Sequence, residues 1–212
     1  MARVPTAPRP GGTDRRVLGQ TGGVTGRLIA LVGTSSVGKT TAATHLQALL
    51  PEPHLVVGID HFLNLFPQHW AGQSPGPGPG MWYEDVTDPD GRPRARIRYG
   101  AAGERLLTGM RAAVRALLDA GNDVVLDEMP LDASILPAWR RELGDRPVFW
   151  VRLEAPLAVV EAREAGRTRG QHLGNARGHL HVGADLAYDL RLDVSATTPA
   201  EVARAVLAAR PS

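Results

Sequence analysis

From residue 27 onward the apolar positions fall into short unbroken runs separated by longer stretches with a helical repeat. The runs cover 28–32, 55–59, 124–126, 148–153 and 190–194 and are rich in Val, Ile and Leu. A run without polar alternation is what a strand covered on both faces requires. Five such runs alternating with helical stretches predict an α/β fold, a five-stranded, mostly parallel sheet with helices on both faces. Leu106, Leu107, Met110, Val114, Leu117 and Leu118 recur at helical spacing, and Gly121 supplies the stop. Thr198-Pro199-Ala200-Glu201 reads as a capping box with proline at the first helical position, opening a last helix that runs to Ala209. No internal repeat is present.

Two stretches break the alternation. Residues 67–80 end in PGPGPG, which can neither continue a helix nor pair as a central strand, so they form a loop. Residues 81–86 and 94–99 flank Asp88-Pro89-Asp90-Gly91, a turn signal, and predict a small antiparallel β-hairpin. Arg92, Arg94, Arg96 and Arg98 then share one face, either as a solvated charged edge or as a surface for an acidic ligand or partner.

Composition narrows the classes. The chain has 212 residues with 43% hydrophobic side chains, enough for one compact domain or two small ones. Its longest apolar run is five residues, far short of the ~20 that a membrane span needs. Arg15-Arg16 is followed by no apolar stretch of export-signal length, so the expected location is the cytoplasm, with no membrane partner. The absence of cysteine excludes disulfides, thiolate metal ligands and thiol nucleophiles. The net charge of +2 hides an asymmetry, because residues 1–27 hold five arginines against Asp14 and residues 28–212 hold 19 basic against 21 acidic side chains. The folded part is slightly acidic, which argues against nucleic acid as a partner. Residues 1–26, dense in Pro, Gly and Thr, read as a disordered leader, and residues 27–212 as one domain. Of the 24 basic residues 23 are arginine, and the single lysine is Lys39.

That lysine sits in Gly33-Thr34-Ser35-Ser36-Val37-Gly38-Lys39-Thr40, which fits the phosphate-loop pattern G-x-x-x-x-G-K-[ST] between an apolar strand and a helical segment. Glycines let backbone N–H groups turn inward around phosphate oxygens, and the following helix adds the positive end of its dipole. Lys39 would neutralise β- and γ-phosphate charge, and the Thr40 hydroxyl would ligate Mg²⁺. Residues 33–40 with Thr41 are therefore expected to bind ATP or GTP with Mg²⁺.

A phosphate loop alone does not separate a kinase from a switch, so the acceptor side must decide. Asp60 ends the second apolar run, 21 residues after Lys39, at the edge where open α/β sheets bind ligands. It is expected to orient an acceptor hydroxyl and take its proton, or else to cap the segment that follows. Asp127 and Glu128 end the third run in VVLDE, as a carboxylate near Mg²⁺ or a substrate contact would. Arg163, Arg167 and Arg169 lie at the end of a helix starting near Pro156 and in the AGRTRGQHLGN stretch after it, the pattern of a lid over ATP or of a solvated helix end. His61 and the aromatic Trp82 stand in the expected acceptor region. His179 and His181 would point the same way on a strand, but with His172 nothing fixes a complete metal set.

The fragments GTSSVGKT, LPEPHLVVGID, VVLDE, FWV, REAGR and YDLRLDVSATT together make the chain resemble the chloramphenicol 3-O-phosphotransferase family, small kinases that inactivate an antibiotic by phosphorylating its hydroxyl. The resemblance spans nearly everything after residue 26. It implies a P-loop NTPase fold of the nucleotide-kinase type, Asp60 as catalytic base, Arg163 and Arg167 as lid arginines over residues 163–180, an acceptor side over 60–100, and a homo-oligomer. The chain departs from the family pattern after Asp60, where His61, Phe62 and Leu63 follow, and over 67–99 with Trp70, Trp82 and Tyr83. The expectation is an ATP- and Mg²⁺-dependent O-phosphotransferase whose acceptor is an alcohol on an antibiotic other than chloramphenicol, serving self-protection. The rival readings are a kinase of a nucleoside, sugar or nucleotide sugar, and a nucleotide-binding switch that transfers nothing.

Overall fold

The computed structural model describes residues 25–71, 76–168 and 170–211. The leader reading falls outside the described residues except at Thr25 and Gly26. Gly26 already belongs to the fold, since it is buried and its N–H donates to the Leu118 carbonyl at 2.9 Å.

Five strands, β1 (Leu28–Val32), β2 (His54–Gly58), β5 (Asp123–Glu128), β6 (Val148–Glu154) and β7 (Leu190–Asp193), form one parallel sheet in the order β2-β5-β1-β6-β7. A separate antiparallel hairpin pairs β3 (Met81–Thr87) with β4 (Pro93–Tyr99). The helices are α1 (Lys39–Leu49), α2 (Ile59–Leu63), α3 (Ala101–Asp119), α4 (Ile135–Leu143), α5 (Leu157–Ala165), α6 (Asn175–His179) and α7 (Pro199–Ala209). None of the described helices is long and apolar enough to cross a membrane.

Alternating side chains on each strand feed two cores. Leu28, Ala30, Val32, Val124 and Leu126 pack with Met110, Val114 and Leu118 of α3 and with Ile135, Trp139 and Leu143 of α4. Ile29, Leu31, Val125 and Val151 pack on the other face with Ala42, Ala43 and Leu46 of α1, Val160 of α5, and Val202 and Val206 of α7. Because β1 is central, all five of its residues are buried, which is why it shows no alternation in sequence.

Two local expectations are corrected. The second strand stops at Gly58, not at residue 59, because Ile59 turns into the first core as the opening residue of α2. Its continuous apolar pattern hid that boundary. Asp60 accordingly sits on a helical turn. His179 lies in α6 and not on a strand, and is buried while His181 is exposed, so the shared strand face expected for them does not exist.

The last helix opens as its sequence requires. The Thr198 hydroxyl oxygen accepts from the Glu201 N–H at 3.3 Å, and a Glu201 carboxylate oxygen accepts from the Thr198 N–H at 2.8 Å. Thr198→Ala removes one half of this box, so urea unfolding should show a stability loss of about 1 kcal/mol as a lower midpoint with an unchanged slope.

Candidate active site

The loop after β1 carries the backbone conformations that an anion cradle needs. Gly38 has φ 105° and Ser36 has φ 59°, left-handed values that turn successive N–H groups to one side. Only glycine adopts the first without strain, and the non-glycine Ser36 is held in place by its neighbours. The Ser36 hydroxyl oxygen is buried with no hydrogen-bond partner among the described residues. Lys39 is 7% exposed and its ammonium donates to the Thr34 carbonyl at 2.9 Å, at the rim of the cradle. Burial pulls the Lys39 pKa down, against the attraction of Asp127, Glu128 and Asp60.

Three carboxylates gather at the carboxyl edge of β2 and β5. The Thr40 hydroxyl donates to Asp127, whose other oxygen lies 3.7 Å from the Lys39 ammonium. Gly58 pairs in register with Asp127, and a Cβ on Gly58 would stand 3.2 Å from the Asp127 Cβ, so glycine lets β2 approach this carboxylate. Asp60 follows two residues later, exposed at the site. Glu128 points to the other face of β5, 2% exposed, and accepts the Trp139 indole N–H at 2.6 Å. Burial, with Asp127 adding repulsion, pushes its pKa up to about 7. These groups are hard oxygen donors beside a phosphate cradle, the chemistry that suits magnesium and a polyphosphate.

His61 takes a structural role beside the expected one. Its Nδ1 accepts the Gly58 N–H at 3.1 Å, so the exposed ring also caps the first turn of α2. Trp82 is redirected. In the hairpin it pairs with Arg98, while Tyr83 pairs with Ile97, so Trp82 shares the arginine face and Tyr83 shares the inner face with Met81 and the buried Ile97. On that outer face Arg98 pairs with Glu84 at 2.6 Å and Arg94 with Asp88 at 2.7 Å, and Arg92 reaches Glu161 at 2.8 Å.

The predicted lid arginines divide. Arg163 donates to the carbonyls of Val37 at 3.3 Å, Val194 at 2.7 Å and Ser195 at 3.3 Å, so its guanidinium ties the phosphate loop to the turn before α7. It braces the loop in place of closing over it. The Arg167 N–H donates to the Glu164 carbonyl at 3.2 Å, its guanidinium forms no hydrogen bond or ion pair among the described residues, and its charge acts on Lys39, Tyr83 and Glu164. Arg169 lies outside the described residues.

The stretch read as a lid, 163–180, contains α6. Glu164, 2% exposed, accepts the N–H groups of Gly174 at 2.8 Å and Ala176 at 2.8 Å. The Thr34 hydroxyl donates to the Ala176 carbonyl at 2.7 Å, and the Ala95 N–H donates to the Gly174 carbonyl at 2.9 Å. A single short helix thus joins the phosphate loop, α5 and the hairpin. Sequence reasoning missed Glu164, whose partners lie 10 and 12 residues away, and Thr34's second role, 142 residues from its partner. It also passed over Tyr83 in favour of Trp82. The alternation of Met81, Tyr83 and Asp85 against Trp82, Glu84 and Val86, matched to Ala95, Ile97 and Tyr99 opposite, was the available signal.

Comparison with known proteins agrees with this geometry. A Mycobacterium tuberculosis protein named "Putative O-phosphotransferase Rv2636" is 29% identical over 180 residues, covering 84% of this chain and 80% of its own. Among solved structures, a sugar kinase from Janibacter sp. superposes with a TM-score of 0.59 at 18% identity, covering 86% of this chain and 93% of that one. The Mycobacterium tuberculosis APS kinase CysC, solved with AMPPNP and APS, gives 0.57 at 18% identity over 87% and 97%. The tunicamycin resistance protein of Deinococcus radiodurans gives 0.58 at 17% identity over 86% and 94%. These likenesses establish the P-loop kinase fold. The family model described as "Chloramphenicol phosphotransferase-like protein" matches residues 26–211, so the chain belongs to that family and is a phosphotransferase.

Proposed function

We propose that this enzyme moves the γ-phosphoryl group of ATP to a hydroxyl of a small antibiotic or related natural product, as self-protection in the cytoplasm. The observation that carries the reading is the placement of Asp60 at the same sheet edge as the phosphate loop, with β5 between them, close enough for its charge to act on Lys39. The family name and the tunicamycin resistance neighbour support an antibiotic acceptor. The sugar kinase neighbour supports a sugar as the second reading.

The residues divide the work. Inward amides of residues 33–41 and the Lys39 ammonium bind the phosphates. Thr40 and Asp127 are the residues that would hold Mg²⁺, which would offset the charge on the transferred group. Asp60 accepts the acceptor proton as the new O–P bond forms and the bond from γ-phosphorus to the bridging oxygen of ADP breaks. Arg167 faces the charge that spreads over the γ-phosphoryl oxygens, and Arg163 keeps the Val37 carbonyl, hence the loop, in position. Glu128, buried and bonded to the Trp139 indole, supports the strand end that carries Asp127 from the opposite face of β5.

Incubating the enzyme with MgATP and a panel of antibiotics and sugars should yield a mass gain of one phosphoryl group on one class. That gain should vanish in Lys39→Ala, and gain on sugars alone would replace the antibiotic reading. Asp60→Asn should lower kcat by about 10²-fold or more while nucleotide affinity stays within a factor of about two. Near-normal turnover would remove Asp60 from its role.

Glu128 also makes a pH prediction. Its folded pKa lies above its unfolded value, so the stability linked to its retained proton is complete below the unfolded pKa and declines as pH rises to about 7. Glu128→Gln keeps an acceptor for the Trp139 indole and removes the titration. In denaturant unfolding the variant should gain on the wild type between pH 5 and pH 8 by on the order of 2 kcal/mol. A difference independent of pH would show that the carboxyl does not titrate there.

A further inference from the structure

We propose that Glu164 is a positioning residue for the phosphate-loop lysine, because it holds, through Ala176 and Thr34, the carbonyl on which the Lys39 ammonium rests. The consequence for nucleotide binding rests on the phosphoryl-transfer reading, whereas the effect on the ammonium does not.

Hydrogen bonds run in unbroken sequence from Lys39 to Glu164. The Lys39 ammonium donates to the Thr34 carbonyl at 2.9 Å, the Thr34 hydroxyl to the Ala176 carbonyl at 2.7 Å, and the Ala176 N–H to a Glu164 carboxylate oxygen at 2.8 Å. Every residue on this path is buried. The nearest carboxylate, Asp127, stands 3.7 Å from the ammonium, so the Thr34 carbonyl is the closer oxygen. Threonine is β-branched and stiff at χ1, so a bond that fixes its hydroxyl also restrains the backbone that carries its carbonyl.

The far end of the path is fixed independently. Each Glu164 oxygen takes one N–H, from Gly174 at 2.8 Å and from Ala176 at 2.8 Å. A carboxylate can accept with both oxygens, and an amide cannot. Behind α6 the hairpin leaves no slack. A Cβ on Gly178 would overlap the Ala95 carbonyl oxygen, and the Gly174 carbonyl receives the Ala95 N–H at 2.9 Å. The helix is wedged between β4 and the phosphate loop, and its Ala176 carbonyl is a fixed acceptor for Thr34. A lysine stem has many rotamers, so a fixed resting place for its ammonium reduces the entropy lost when it meets phosphate. An ammonium has further N–H donors, so it can keep Thr34 while the others turn to the ligand.

The chain's single lysine makes the test direct. With isotopically labelled lysine, NMR of the full chain reads the Lys39 side chain as one set of signals. In the wild type the two methylene protons beside the ammonium should be resolved from each other, as in a side chain held in one rotamer. Glu164→Gln keeps the shape but turns an amide donor toward one N–H of α6, and Thr34→Val keeps the branch but removes the hydroxyl. In both, the proton pair should merge toward the averaged value of a free lysine. A merely structural loss would leave the lysine signals of the folded protein unmoved. In calorimetric titration with Mg-AMPPNP each variant should bind about fivefold more weakly. The double variant should bind no more weakly than the weaker single one, because both cut the same path, and Thr34→Ser should regain most of what Thr34→Val loses. If Glu164→Gln fails to fold by circular dichroism, Thr34→Val and Thr34→Ser carry the test. A merged pair in the wild type, wild-type lysine signals in either folded variant, or additive losses in the double variant overturns the proposal. Lys39→Ala distinguishes this failure from that of the nucleotide reading. Unchanged Mg-AMPPNP binding there defeats the nucleotide reading, whereas loss of binding there with wild-type affinity in Glu164→Gln defeats only the positioning role.

Discussion

A loop whose backbone N–H groups converge is unfavourable by itself, and much of the surrounding structure serves to hold it. Ser36 and Gly38 sit in left-handed conformations, and a non-glycine residue there costs on the order of 1 kcal/mol or more. The restraints come from every side. Thr40 is bound to Asp127 on the adjacent strand, Val37 is bound by Arg163 from α5, and Thr34 is bound to Ala176 at α6. Each of these ties spans a large sequence separation, so the cradle exists only when the whole domain has folded. A site preorganised in this way does not reorganise when phosphate charge arrives, which is where such sites gain their catalytic effect.

The same principle explains why α6, only five residues long, matters more than its length suggests. Too short to be stable alone, it is specified by its neighbours. Glu164 receives two of its leading N–H groups, β4 supports its flank, and the Ile97 N–H donates to the buried His179 at 3.3 Å. A carboxylate at a helix start is favourable for the dipole as well as for the hydrogen bonds. Burial nonetheless raises the Glu164 pKa, so the two N–H bonds only partly offset the loss of water. Glu164 therefore links the loop that carries Arg167 to the loop that carries Lys39.

What was legible in the sequence was local. The phosphate loop, the amphipathic α3 and the capping box of α7 are each contained in one stretch of chain, and each appears where its pattern puts it. The runs of β1, β5 and β6 carry the compositional trace of strands covered on both sides, and the half-exposed edge strands β2 and β7 kept enough apolar residues to be read with them. What escaped was decided by distant partners. Arg163 looked like a lid residue because helix ends with arginines commonly face ligands, but its partners are carbonyls 31, 32 and 126 residues away. His61 gave no sign of its capping role because its bond to Gly58 competes with no visible pattern. Asp60 was found, though on a helical turn, since an acid two positions beyond a strand projects into much the same edge of the sheet.

Glu128 shows how stability and function are set against each other at this edge. An isolated buried carboxyl opposes folding whenever it ionises, and replacing a polar core group with an apolar one commonly stabilises a protein. Here the Trp139 indole satisfies one oxygen, while Asp127 on the neighbouring position raises the cost of a second negative charge. The two adjacent acids meet different surroundings because β5 sends them to opposite faces. Asp127 meets Thr40 and Lys39 on the side of α1, and Glu128 meets tryptophan and apolar side chains on the side of α4. A parallel strand ending in two acids can therefore hold one beside the phosphate loop and bury the other in the core from consecutive residues, with the sheet itself keeping the two surroundings apart.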